Sequence, residues 1–190
     1  MKAEIRRQAM KFFSRNGFEG ASLAQIAEEV GIKKQSIYSH YKGKDDLFLK
    51  VLDEALEEEY RFSKQWLQKR NVPVKDLLSQ FLHIYMERFD LEEGFRFGLR
   101  MSFFPPEHLH EVIMKKIYEL QDQMEPLVLS IFQRALEERV VHAVDARTGA
   151  LAYLAVLDAV CVELVYSGKE RAKSKADAAW EIFWRGLTSR

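Results

Sequence analysis

The sequence predicts an all-α protein of about nine helices, and three observations carry that prediction. Apolar residues recur three and four positions apart along nearly the whole chain, with almost no alternation of the kind a half-buried strand shows. The helix stops Asn16-Gly17, Gly31, Gly43, Asn71-Val72-Pro73 and Pro105-Pro106 fall between those runs. Ser22-Leu23-Ala24-Gln25 has the capping-box form, a hydroxyl with Gln three residues on, which marks a helix start.

Helix 1 is expected over about 2 to 16, where Ile5, Ala9, Phe12 and Phe13 share a face and Asn16-Gly17 tolerates the left-handed cap. Helix 2 opens at Ser22, turns Leu23, Ile26, Ala27 and Val30 to one side, and stops at Gly31. Helix 3, 34 to 41, follows after a tight turn and points Ile37 and Tyr41 inward. Two short helices joined in this way make a helix-turn-helix. Helix 4 runs from about 44 to 69, with Asp45 and Asp46 complementing the dipole of its first turn. Pro73 suits the first turn of helix 5, which reaches about 89; a short helix 6 spans 95 to 103. Helix 7, 109 to 138, contains Pro126 and should kink there. Helix 8, 146 to 167, and helix 9, 175 to 188, complete the chain, which shows no solenoid-type repeat.

Composition narrows the function classes. The 190 residues are 47% hydrophobic and 31% charged with nine Gly and four Pro, too apolar for disorder and too poor in Gly and Pro for a low-complexity chain. Cys161 stands alone, so no internal disulfide is possible and a thiolate zinc cluster has too few ligands; a reducing cytoplasm is expected. No apolar h-region follows the charged start, so no secretory signal is expected there. Helix 8 is the most apolar stretch, but Asp158 and Glu163 interrupt it, and no membrane partner is expected. The balanced charge of 29 basic and 29 acidic residues hides an asymmetry, because residues 1 to 50 carry ten bases and six acids. Between Lys33 and Lys44 lie four lysines and no carboxylate, a local field suited to a polyanion. The remainder is net acidic, which argues against a nonspecific DNA-coating protein.

Residues 5 to 52 closely resemble the N-terminal domain of the TetR family of bacterial regulators. The resemblance rests on Gly17-Phe18-Glu19-Gly20-Ala21-Ser22, Ile26-Ala27, Val30-Gly31-Ile32, Ile37-Tyr38-Ser39-His40-Tyr41 and Lys44-Asp45-Asp46-Leu47-Phe48 in order. It implies a helix-turn-helix DNA-binding domain over 1–46 and a helical ligand-binding and dimerisation domain over 47–190. It also implies that helix 3 enters a major groove with Lys34, Gln35, Ser36 and Ser39 near base edges. Lys33 would reach a guanine or a phosphate, Tyr38 and His40 the DNA backbone, and Lys44 a phosphate at the start of helix 4. Ser22 would cap helix 2 and touch a phosphate. Lys33 and Gln35 stand where the family often has small or hydroxyl residues, which bears on the operator rather than the fold.

The rest of the chain resembles the family in helix count and in Ile182-Phe183-Trp184-Arg185-Gly186-Leu187. The resemblance implies a two-fold dimer on a palindromic double-stranded DNA operator, with helices 8 and 9 as the seam. Leu151, Leu154, Val162 and Val165 with Ala179, Ile182 and Phe183 supply more apolar face than one core requires. A pocket for a small lipophilic effector is expected from Trp66, Phe81, Tyr85, Phe89, Phe97, Met101, Phe104 and Tyr118, since aromatic and thioether side chains suit an irregular cavity. Asp158 and Glu163 lie about 140° apart around helix 8, so one faces the pocket and the other the seam or solvent. No phosphate loop, nucleophile elbow or H-E-x-x-H helix occurs, and no enzyme activity, cofactor or metal is expected; His108 and His110, two apart, do not share a helix face. The expected function is a cytoplasmic, ligand-responsive repressor. A regulator without an inducer or an activator is the second reading, and a helical enzyme or metal-binding protein the remote one.

Overall fold

The computed structural model describes residues 1 to 189. Nine α-helices and one 3-10 turn account for the regular structure among them: α1 Lys2–Gly20, α2 Leu23–Val30, α3 Lys34–Tyr38, α4 Lys44–Leu67, α5 Val74–Leu91, α6 Glu93–Met101, the turn Glu107–Leu109, α7 His110–Glu137, α8 Ala146–Ser167 and α9 Lys169–Thr188. The helices pack as two compact units, one of Met1–Glu59 with Glu92–Tyr118, the other of Tyr60–Leu91 with the chain from Glu119 onward. The first unit therefore contains α6 and the start of α7 as well as the three N-terminal helices, because α6 packs on α1.

The core of the first unit is built on phenylalanines. Phe48 of α4 sets its ring edge-on to Phe13 of α1 at 4.8 Å, to Phe97 of α6 at 5.3 Å and to Phe18 at 5.1 Å. Edge-to-face pairs of this kind add about 0.5–1.5 kcal/mol each beyond the area they bury. Ile5, Ile26, Ile37, Leu47 and Val51, all without solvent exposure, fill the space between α1 to α4. Gly98 brings the α6 backbone close to α4, where an added Cβ would lie 3.7 Å from both Ala55 and Leu56.

In the second unit α8 and α9 pack together and both meet α5. The fully buried Tyr153 of α8 donates its hydroxyl to the Leu78 carbonyl at 2.8 Å, and burial pushes that phenol well above its ordinary pKa. Its ring stands near Trp180 and Phe183 of α9, at 6.4 and 6.1 Å. Gly149 is required where α8 crosses α7, since a Cβ there would fall 2.5 Å from the Phe132 ring. The chain after α7 turns through Arg139, the one non-glycine with positive φ among the described residues, at 57°. The Val140 amide donates back to the Ala135 carbonyl at 2.9 Å, the six-to-one bond of a Schellman cap.

Several boundaries differ from expectation. Gly17, with φ 70° and ψ −175°, breaks α1 at the expected stop, yet residues 18 to 20 resume helical geometry. Helix 3 ends at Tyr38 instead of 41, because the Ser39 hydroxyl takes the Ser36 carbonyl at 2.7 Å and competes with a further backbone turn. Helix 6 begins at Glu93, two residues early. Helix 9 begins at Lys169, six residues early, since Gly168 at φ 82° turns the chain sharply and Ala172 and Ala176 extend the buried face. Helix α7 runs through Pro126 without interruption.

Candidate nucleic-acid interface

The 33–44 segment is held by apolar and capping interactions on one side only. Ser22 accepts the Gln25 amide at 3.2 Å while Gln25 Oε1 accepts the Ser22 amide at 3.0 Å, so both halves of the capping box are formed. Gly31 closes α2 in the left-handed conformation, and the Ile32 amide donates to the Ala27 carbonyl at 2.9 Å. The tight turn places α3 against α2. Ile37 is fully buried and Tyr41 is 5% exposed. The Tyr41 hydroxyl accepts from Arg6 at 3.1 Å and donates to the Lys2 carbonyl at 3.4 Å, tying the end of this segment to α1. Arg6 also pairs with Glu54 of α4, and the hydrogen bond to Tyr41 raises the guanidinium pKa further.

The opposite side carries the predicted readers. Lys33, Lys34, Gln35 and Ser39 are exposed, and Ser36, His40 and Ser22 are half-buried. Tyr38 is 52% exposed, an unusual placement for a large aromatic. Lys44 opens α4, with Asp45 and Asp46 behind it, and its ammonium sits 4.1 Å above the Phe18 ring. It is therefore already engaged by a cation–π contact, a role the sequence did not reveal. The Phe18 ring also lies tilted against the His108 imidazole, 4.9 Å between centroids, and His108 Nε2 lies 3.4 Å from Asp45. Among the described residues no group of three or more His, Cys, Asp or Glu is placed to hold a metal ion.

The residues expected to line an effector pocket are divided between the two units. Phe97 and Met101 are buried in the first unit, where Phe104 is 50% and Tyr118 57% exposed. Phe81 and Tyr85 are buried in the second unit with rings 4.8 Å apart, beside the half-buried Phe89 on α5. Trp66 stacks on Phe62 at 5.9 Å beneath the Lys69 ammonium, and its buried Nε1 meets no protein acceptor among the described residues. Buried polar residues that periodicity did not single out join these aromatics. Ser63 Oγ lies 3.4 Å from the Tyr85 hydroxyl, and the 3%-exposed Arg88 sits 3.7 Å over the Phe62 ring. A hydroxyl or guanidinium on an otherwise apolar helix face is the signal that marks them in the sequence.

Glu163 turns to α9, where Lys175 and Arg171 meet it and Lys175 holds its carboxyl below the usual range. Asp158 lies on the exposed side of α8, yet desolvation by the surrounding protein raises its carboxyl pKa. The same exposed stripe holds Leu151, Val162 and Tyr166, at 44, 39 and 64% exposure, with Leu154 and Val165 half-buried at its margin. On α9, Ala179 is exposed and Ile182 is 68% exposed, whereas Phe183 turns inward to within 6.4 Å of the Phe132 ring.

A buried helix-turn-helix core that presents lysines and a tyrosine to solvent defines a DNA-binding fold of the helix-turn-helix class. Residues 5–51 match the model of the bacterial regulatory proteins of the tetR family. The chain is 38% identical over 53 residues to the biofilm operon icaADBC HTH-type negative transcriptional regulator IcaR of Staphylococcus epidermidis, covering 28% of this chain and 29% of that one. It is 32% identical over 108 residues to IcaR of Staphylococcus aureus strain Newman, covering 56% of each. The match thus spans about half the length of that relative or less. The TetR-family regulator PfmR of Thermus thermophilus superposes with a TM-score of 0.67 at 23% identity, over 98% of this chain and 97% of that one. The Bacillus subtilis regulator FadR, solved in complex with stearoyl-CoA, gives 0.68 at 14%, over 98% and 100%. The chain thus has a tetR-family match over residues 5–51 and, over nearly its whole length, the fold of a TetR-family regulator of known structure.

Proposed function

We propose that the protein is a cytoplasmic transcriptional repressor that binds a palindromic operator in double-stranded DNA as a homodimer and is released by a small lipophilic effector. The observation that carries the DNA reading is the division of the 33–44 segment into a buried side, Ile37 and Tyr41, and a solvent side of Lys33, Lys34, Gln35 and Tyr38. A major groove admits a helix of this kind, Gln35 suits a bidentate pairing with adenine, and Lys33, Lys34, Tyr38, His40 and Lys44 supply phosphate or guanine donors. Repression is supported by the role of IcaR as a negative regulator. The stripe of Leu151, Val162, Tyr166 and Ile182 supports a seam between two copies, which would set two reading heads about 34 Å apart or a multiple of that.

The effector reading rests on the aromatic and buried polar residues of α4 and α5, Trp66, Phe81, Tyr85 and Ser63, and on the stearoyl-CoA bound by the Bacillus subtilis FadR. Helix α4 begins in the first unit and ends in the second, so an effector that prefers one position of α4 shifts the spacing of the heads. As a second reading we keep a regulator without a small-molecule inducer, or an activator. Selection of bound fragments from a genomic library at near-physiological salt tests the DNA reading. An enriched palindrome is expected, and a folded dimer that enriches nothing overturns it. Titrating stearoyl-CoA against the selected duplex tests for release by an acyl effector.

A further inference from the structure

Helix α8 is the most apolar element of the chain, yet only 39% of its most apolar 18-residue stretch is buried within the subunit. Its open side is a line of Leu151, Ala155, Asp158, Ala159, Val162 and Tyr166, spaced three and four apart and all exposed. Asp158 is the one charge among these six and stands at their middle. Helix α9 turns back along α8 at Gly168, and Ala178, Ala179 and Ile182 on it are exposed as well. Two open helices of 22 and 20 residues, side by side, suit a second copy of the same pair, as in a four-helix bundle. No charge of the subunit answers Asp158, since desolvation is the one cause of its raised carboxyl pKa. From α9, Lys175 and Arg171 face α8 and are held by Glu163; from α7, Glu125 faces it and pairs with Arg147 at the helix start. Helix α5 meets α8 through the Leu78 carbonyl on the opposite, buried side.

We propose that Asp158 of each copy faces its own equivalent across the seam and that the two carboxyls share one proton, so that the chains associate more tightly as pH falls. The proposal rests on the dimer reading above and adds a proton-linked control of assembly. A two-fold seam is self-complementary, so the middle of the face lies near the axis and meets itself. Two ionised carboxylates brought together out of water repel, and one proton between them replaces that repulsion with a hydrogen bond. Association therefore takes up a proton from solvent, and by linkage the dissociation constant falls by up to about tenfold per pH unit where the pair titrates. Operator occupancy, which needs both heads, would then rise with acidity.

The test is sedimentation velocity of the full chain over a dilution series between about pH 5.5 and 7.5, with Asp158→Asn alongside and helicity followed by circular dichroism. The parent protein is expected to dimerise roughly tenfold more tightly at the acid end, with unchanged helicity. Asp158→Asn keeps the shape and removes the charge, so it is expected to dimerise at neutral pH as tightly as the parent does in acid and to lose the pH dependence. A dimer whose constant is indifferent to pH, or that tightens in acid equally in both proteins, overturns the proposal and leaves the dimer reading standing. A dimer that loosens in acid and is weaker still in Asp158→Asn also overturns it, because a cation would then stand opposite the carboxylate. Monomers in both proteins at every pH remove the dimer reading itself and this proposal with it.

Discussion

Gln35, Tyr38 and Lys44 lie within ten residues of each other, and the proposed DNA reading gives them distinct roles. Gln35 has no partner among the described residues that explains it, so Gln35→Ala should cost about 1–3 kcal/mol on the preferred operator and relax selectivity at one base position, read by binding to a panel of single-base variants. Tyr38→Phe and Lys44→Ala should instead weaken binding to all sequences alike, with Lys44→Ala also lowering the salt slope by about one. Unchanged affinity in both would remove the phosphate assignments. Two other residues test packing rather than recognition. The Cβ of Gly149→Ala would meet the Phe132 ring, and the required shift should cost about 1–3 kcal/mol in denaturant unfolding. Arg139→Gly should do the opposite and stabilise by about 0.5–1 kcal/mol, since only glycine adopts that left-handed cap without strain.

Helix α8 carries two aspartates with opposite pH behaviour. Asp145 caps its start, accepting the Arg147 and Thr148 amides at 3.0 Å, and the Thr148 bonds hold its carboxyl below the usual range. A group depressed in the folded state stabilises above its unfolded pKa, near 3.9, and that stabilisation is lost as pH falls through the lower folded value. Asp158 is raised by desolvation, so the folded state prefers it protonated and loses stability as pH climbs from about 3.9 through the raised value. Melting curves should therefore show Asp158→Asn above the parent protein at pH 7, with the gap closing near pH 3. Asp145→Asn should show its largest deficit at neutral pH. A constant difference across that range in either variant would contradict the assigned cause.

At the scale of the whole molecule, the proposed seam on the exposed stripe of α8 and α9 is what would bring two chains to one operator. Ile182 contributes little to the subunit interior at 68% exposure, so Ile182→Glu should leave subunit helicity intact. It should convert a dimer to a monomer in light scattering and abolish high-affinity binding to a palindrome while sparing weak nonspecific binding. A dimer that persists would move the seam elsewhere. The division into two compact units adds a consequence for truncation. Residues 1–46 alone lack α6 and the second half of the phenylalanine core, since Phe97 closes against Phe13 and Phe48.

Much of this was legible in the linear chain because it is local. The capping box at Ser22, the positive-φ glycines at Gly17 and Gly31, and the alternation of Ile37 and Tyr41 with exposed lysines depend on neighbours within a few residues, and periodicity reads such neighbours directly. The early start of α9 was hidden by a polar run, Lys169 to Lys175, of residues that favour helices but show no apolar period. Only tertiary structure decided the rest. Aromatics of one composition were divided between two units, Lys44 was drawn onto Phe18, Phe183 turned inward while Ile182 stayed out, and Ser14 was buried without a partner. Helical spacing states which residues share a face, but the partner that face meets is set by contacts between segments far apart in sequence, and no local pattern encodes those.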